Sequence, residues 1–215
     1  MNEEFVGFGK IARLSRGMVI TEKLDGTNAQ VYVECVPRSD LGELPAGAMP
    51  VDIPGVKEYC MVLRAGSRNR WLVPGVDDNF GFANWVSENR EELALLGEGR
   101  HFGEWWGRGI QRGYGLGERR FSLFNSNRWG GVRPGCCEVV PTLSLSGIFD
   151  THIIERVMDD LRDHGSYAAP GYMSPEGVII YHVASNTYFK RTLDGDAKSW
   201  ATVRSEIKDA GINTE

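Results

Sequence analysis

Thr21-Glu22-Lys23-Leu24-Asp25-Gly26-Thr27-Asn28 is the stretch that decides how this 215-residue chain is read. Apolar Met18, Val19 and Ile20 precede it, and an alternating run from Ala29 to Val36 follows. It therefore joins two β-strands and holds one lysine at the end of the first. Asp-Gly is a strong hairpin signal, so strands over 18–23 and 29–36 are expected to pair across it. Lysine attacks only as a neutral amine. Lys23 is thus either surface charge or the nucleophile of a site whose other groups lie elsewhere in the sequence.

Working outward, residues 37–57 carry Pro37, Pro45, Pro50 and Pro54 and read as a long loop. A strand over 58–64 leads into Ser67-Arg68-Asn69-Arg70. Asp77 or Asp78 is placed to cap a helix through Phe82, Trp85, Val86, Leu93 and Leu96, stopped by Gly97. A strand over 99–106 holds Trp105 and Trp106, of which alternation sends one inward and one outward. The glycine-rich run from Gly107 to Gly117 is a loop, and 121–125 and 137–141 are strands. A helix from Asp150 to Gly165 carries Ile154, Val157, Met158 and Leu161 on one face. Strands 177–183 and 187–191 form a hairpin around Ala184-Ser185-Asn186, and a last helix is expected from Asp196 through Trp200, Val203 and Ile207. Strands joined mostly by short turns, with few helices, give an α+β class: antiparallel β-sheets with flanking helices in one domain spanning 1–215.

Composition narrows the function classes. At 41% hydrophobic and 25% charged the chain has a globular balance, and no apolar run is long enough to span a membrane. The start is acidic and lacks a signal-peptide core. Cys35, Cys60, Cys136 and Cys137 lack Cys-x-x-Cys spacing, so reduced thiols in a cytoplasmic monomer are expected. The net charge of −5 is unevenly spread: between Arg100 and Arg133 seven arginines face two acids. That asymmetry suits a basic patch for a polyanion.

Five segments besides the lysine concentrate polar residues at strand ends: Ser67-Arg68-Asn69-Arg70, Phe102-Gly103-Glu104-Trp105-Trp106-Gly107, Phe121-Ser122-Leu123-Phe124-Asn125, Pro175-Glu176-Gly177-Val178 and Phe189-Lys190-Arg191. Two lysines, two glutamates, an arginine and an aromatic are the groups that adenylyl transfer to a lysine requires. An amine attacks the α-phosphorus, cations neutralise the growing charge, carboxylates hold ribose or metal, and a ring stacks on the base.

In this order the six segments resemble the covalent nucleotidyltransferase superfamily of ATP-dependent DNA ligases, RNA ligases and mRNA capping enzymes. Asn28, where DNA ligases and capping enzymes usually carry arginine, and the run Gly103 to Arg112 are similar to the small phage-type RNA ligases. The resemblance implies the adenylation-domain fold and an ATP-dependent RNA ligase (AMP-forming) using Mg²⁺ or Mn²⁺. Such an enzyme forms a lysyl-AMP, adenylylates a 5′-phosphate and joins it to a 3′-hydroxyl of RNA, or alternatively DNA, ends. It implies Lys23 as the AMP acceptor, with Glu22 reading adenine and Asn28 lining the nucleotide site. Arg68 and Glu104 would hold the ribose, Phe124 would stack on adenine, Glu176 would bind the metal, and Lys190 would contact the α-phosphate. Asp25 is expected to face the turn amides. The family's usual Lys-x-Lys is here Lys190-Arg191-Thr192, leaving Arg191 or Lys198 as substitutes for the second lysine. Arg108, Arg112, Arg119 and Arg120 are the candidates for the nucleic-acid backbone. No separate C-terminal OB or helical domain is expected in the residues after Thr192. A DNA ligase, a capping-type enzyme and a nucleotide-binding module without turnover remain the alternatives.

Overall fold

The structure, a computed structural model, describes residues 4–195, so the helix expected from Asp196 and the substitute role of Lys198 lie outside the described residues. Among the described residues ten strands form two sheets. β1 (Met18–Lys23), β8 (Thr142–Ser146), β9 (Gly177–His182) and β10 (Thr187–Thr192) form a four-stranded sheet in the order β10-β9-β1-β8. β2 (Thr27–Pro37), β3 (Ala48–Asp52), β4 (Tyr59–Ser67), β5 (Gly99–Gly107), β6 (Arg119–Leu123) and β7 (Cys137–Val139) form a six-stranded sheet in the order β3-β4-β2-β5-β6-β7. All pairings are antiparallel except β6 with β7, which are parallel. The class is α+β, as the strand and turn signals suggest.

The lysine stretch is not a hairpin. β1 pairs with β8 and β9, and β2 pairs with β4 and β5, so Leu24–Gly26 carries the chain from one sheet into the other. The chain returns between β7 and β8, and the two passages are tied by Glu22 N–H donating to Pro141 C=O at 2.9 Å. Gly26 does not serve a left-handed turn. A Cβ there would sit 2.5 Å from Trp105 O and 2.7 Å from Trp106 Cβ, so only glycine lets the passage lie against β5.

Each sheet buries one face under helices. Ala29, Val31, Val33, Leu63, Ala65, Trp105, Phe121 and Leu123 of the large sheet pack against α1 (Phe82–Glu88) and α2 (Arg90–Leu93), through Phe82, Val86 and Leu93. The single helix expected here is divided at Asn89, and its start is held by Asp78, which accepts from Asn84 N at 2.8 Å. A short α3 (Ser126–Trp129) adds Trp129 to this core. In the small sheet Met18, Ile20, Val178 and Ile180 pack on Ile154, Met158 and Leu161 of α4 (Thr151–His164). The start and stop of α4 match the sequence: Asp150 accepts from His152 N at 2.8 Å and Gly165 ends it.

A third cluster fills the junction between the sheets. Leu24 of one passage and Val140 of the other meet Trp106, Tyr114 and Ala169. Both tryptophans are therefore buried, on opposite faces of β5. Trp105 donates to Phe80 O at 3.0 Å, and Trp106 donates to Ser122 Oγ at 2.9 Å. The expectation that one would face solvent fails because β5 is covered on both sides at this end. β3 lies inside the stretch read as loop, and it accommodates Pro50 because it is an edge strand of the sheet.

Candidate nucleotidyl-transfer site

The uncovered face of the large sheet presents its residues in three rows. Asn28 pairs with Glu104, and Glu104 with Ser122, while Arg68 follows Ser67, the last residue of β4, into the same pocket; this first row lies nearest Lys23. Two residues along each strand, Gln30 stands opposite Gly66 and Phe102, and Phe124, just past β6, donates its N–H to Phe102 O at 3.0 Å. A further two residues away, Tyr32 stands between Arg64 and Arg100. Alternation alone puts these residues on one side and the core on the other.

A pocket of about 380 Å³ opens at the first row and is lined by Lys23, Asn28, Arg68, Asn69 and Glu104, with the passage and Asn79 completing it. Lys23, at the end of β1, points into it. Its Nζ donates to Glu176 Oε2 at 2.5 Å, and the two side chains keep only 21% and 15% of their exposure. Glu176 is held there because Gly177 next to it runs hard against β10. A Cβ at Gly177 would fall 2.1 Å from Arg191 O, and its φ of +150° suits glycine. Glu104 accepts from Gly26 N at 3.2 Å. Burial pushes its carboxyl up to about 7; Lys23, the Gly26 amide and Arg68 pull the other way, and Glu176 adds to the rise. Arg70, bound to Asp77 at 2.6 and 2.9 Å, fixes the loop that carries Arg68.

Lys190 lies on the same face of the small sheet as Lys23, by its register with Ile179 and, through it, Thr21. Its side chain is exposed on edge strand β10. Arg191, on the opposite face, pairs with Glu155 of α4. That engagement argues against Arg191 as a second phosphate contact. Phe124 stands in the second row, 39% exposed and outside the pocket lining.

Other expected residues are placed differently. Glu22 faces away from Lys23 and is buried. Ser166 Oγ donates to it at 2.5 Å, and Tyr167 and Ala168 N–H each at 2.9 Å. Burial raises this carboxyl's affinity for protons while the three donors hold it down. The Glu22 carboxylate ties the 166–168 loop to β1 and does not enter the pocket. Asp25 does not cap turn amides: Arg112 Nε donates to it at 3.0 Å, and its own N–H donates to the Tyr114 hydroxyl at 2.9 Å. Three of the four arginines assigned to RNA are used within the chain. Arg112 bonds Asp25, Ser174 O and Asp194; Arg119 bonds the carbonyls of Arg108 and Phe80; Arg120 pairs with Glu118. Arg108 is exposed on the turn after β5.

Asn79 was not singled out by the sequence. Its Oδ1 accepts from Thr27 Oγ1 at 3.4 Å, and its buried Nδ2 has no partner among the described residues. The signal was Asp78-Asn79 before α1, which reads equally well as a cap. The four cysteines are free thiols, and no helix among the described residues is long and apolar enough to cross a membrane.

Comparison with solved structures gives chains of Naegleria gruberi RNA ligase. A mutant in the apo form has a TM-score of 0.54 at 16% identity, covering 91% of this chain and 52% of that one. A mutant with AMP and Mn has a TM-score of 0.53 at 17% identity, covering 84% and 51%. A mutant with ATP and Mn has a TM-score of 0.52 at 17% identity, covering 89% and 52%. At these identities the likeness is one of fold, and the chain spans about half the length of the structures it matches. No curated protein sequence matches it. A family model described as RNA ligase matches residues 16–192, which takes in all six polar segments. On that match the chain belongs to the RNA ligase family.

Proposed function

We propose that this chain is an ATP-dependent RNA ligase that works through a lysyl-AMP at Lys23. The observation that carries the reading is the Lys23–Glu176 contact at the rim of a pocket that also holds Arg68, Asn28 and Glu104. In the first step the Lys23 amine attacks the α-phosphorus of ATP. The P–N bond forms, the bond to the β-phosphate oxygen breaks, pyrophosphate leaves and the nitrogen gives up a proton. In the second, a 5′-phosphate oxygen displaces Lys23, and the amine regains a proton. In the third, a 3′-hydroxyl attacks the activated phosphate and AMP leaves.

The donor set fits a divalent cation. No group of three ligating side chains exists among the described residues, but Glu176 with Glu104 beside it offers hard oxygens. One or two carboxylates plus substrate phosphates and water are what Mg²⁺ commonly uses, and Mn²⁺ suits the same oxygens. Once bound, the cation offsets negative charge on the phosphate. Glu176, which holds the Lys23 side chain, is the carboxylate that would bind the cation. Arg68 and Lys190 face the charge that develops on the α-phosphate, Asn28 and Glu104 meet the sugar, and Phe124 offers a ring to the base.

The test is the intact mass after incubation with ATP and Mg²⁺. Gain of one AMP moiety, removed by mild acid and absent in Lys23→Ala, is expected. If the wild type, first stripped of any carried-over AMP with pyrophosphate, gains no mass, the enzymatic reading fails. The same assay with GTP, and end-joining on RNA and DNA strands, separates it from capping-type and DNA-joining alternatives.

A further inference from the structure

The third row of the open face is a second cationic site beyond the nucleotide pocket. The Arg64 guanidinium lies over the Trp71 ring at 4.1 Å, and that of Arg100 lies 4.9 Å from the Tyr32 ring and 5.3 Å from Trp71. Tyr32 and Trp71 are themselves 5.9 Å apart. Neither arginine has an ion-pair partner among the described residues. Arg100 donates to the neutral Gln30 amide at 3.1 Å, and Arg64 keeps a buried Nε with no acceptor. The charged group acting on Arg64 is Arg100, a like charge, while Glu34 and Glu98 act on the Tyr32 side of the cluster. Half-buried Arg64, with its unpartnered Nε beside the like charge of Arg100, would gain from an anion, and the rings leave edges and faces for a planar group.

The position identifies the anion. Tyr32 is four residues along β2 from Asn28, about 13 Å at strand spacing, with exposed Phe102 between the two rows. A strand whose end lies in the pocket and that runs along this face reaches the cluster without leaving the sheet. We propose that Tyr32, Arg64, Trp71 and Arg100 form a subsite for a single-stranded RNA segment adjoining the end to be joined. The guanidiniums hold its phosphates and the rings stack a base. This rests on the RNA ligase reading, and it replaces the intramolecularly engaged Arg112, Arg119 and Arg120 as the basic surface.

The experiment compares the full-length wild type with Arg64→Gln/Arg100→Gln and with Arg100→Gln alone, which alters an exposed side chain and leaves the fold intact if the double variant does not. Affinity for a short 5′-phosphorylated single-stranded RNA is read by fluorescence anisotropy over a salt series. Lysyl-AMP formation with ATP alone is read by mass. The double variant is expected to bind RNA at least about tenfold more weakly, and its salt slope should be shallower by roughly 0.7 for each phosphate no longer held. Arg100→Gln should show a smaller change in the same direction, and lysyl-AMP formation should be unchanged in both. Unaltered affinity and salt slope in both variants would overturn the subsite. A wild type that gains no AMP would sink the ligase reading instead, and the binding comparison would still judge the subsite.

Discussion

The two sheets divide the work unequally. On the proposed function the small sheet would supply the reacting groups, Lys23 from β1, Glu176 beside β9 and Lys190 on β10, yet its edge strand is exposed along most of its length. The large sheet would supply the receiving surface, Asn28, Arg68, Glu104 and Phe124, over a core of fully buried Phe82, Leu63, Phe121 and Leu123. On that proposal chemistry would sit on the smaller sheet and recognition on the larger one. A nucleophile needs only one fixed end, whereas a sugar and base need a rigid floor.

The sharpest way to break this division is Lys23→Ala, which should abolish the AMP adduct in the mass spectrum while leaving the melting temperature nearly unchanged. The converse is Phe121→Ala, under the floor. Loss of a fully buried phenylalanine should cost about 3–5 kcal/mol in denaturant unfolding and reduce adenylylation only through the folded fraction. Glu104 ranks next. Its carboxyl holds a proton up to about pH 7 in the folded chain but ionises near the ordinary 4.5 when unfolded. The stability it contributes is therefore fully present below pH 4.5 and lost as pH rises through 7, by up to about 3 kcal/mol. Urea unfolding of the metal-free protein should show that decline, and Glu104→Gln should flatten it. The smallest effect on the fold belongs to Lys190→Ala: under about 0.5 kcal/mol for an exposed edge-strand residue, with adenylylation slowed roughly 10²-fold.

Much of this was legible because it depends on local patterns. Asp150 and Gly165 bound α4 as caps do anywhere, Asn186 with φ of 51° turns the β9–β10 hairpin, and alternation set which residues of β5 share a face. Of the polar segments, Lys23, Arg68 and Glu104 line one pocket and Glu176 meets Lys23, whereas Phe124 stands outside the lining and Lys190 is exposed on β10. What escaped depends on partners distant in sequence. Asp25-Gly26 reads as a hairpin whether the next strand folds back or enters another sheet. Which it does is decided by β9 and β5, more than seventy residues on. Glu22 borders Lys23 in sequence, but the two-residue period sends it to the opposite face and into the 166–168 loop. An arginine's composition says nothing of the carbonyl it will meet, so Arg112, Arg119 and Arg120 could not be told from Arg64 and Arg100 until the fold was drawn.

The bond between Glu22 N–H and Pro141 C=O bears on how the chain acquires its shape. Everything from Thr27 to Val139 is inserted between two adjacent strands of the small sheet, so Met18 cannot meet Ser146 until that insert has brought its own ends together. For an unfolded insert the closure entropy is large and unrewarded; for a folded one it has already been met. The order expected on physical grounds is large sheet first and small sheet last. Lys23 is then among the final groups to reach its place, and recovery of AMP uptake during refolding should lag behind burial of the tryptophans.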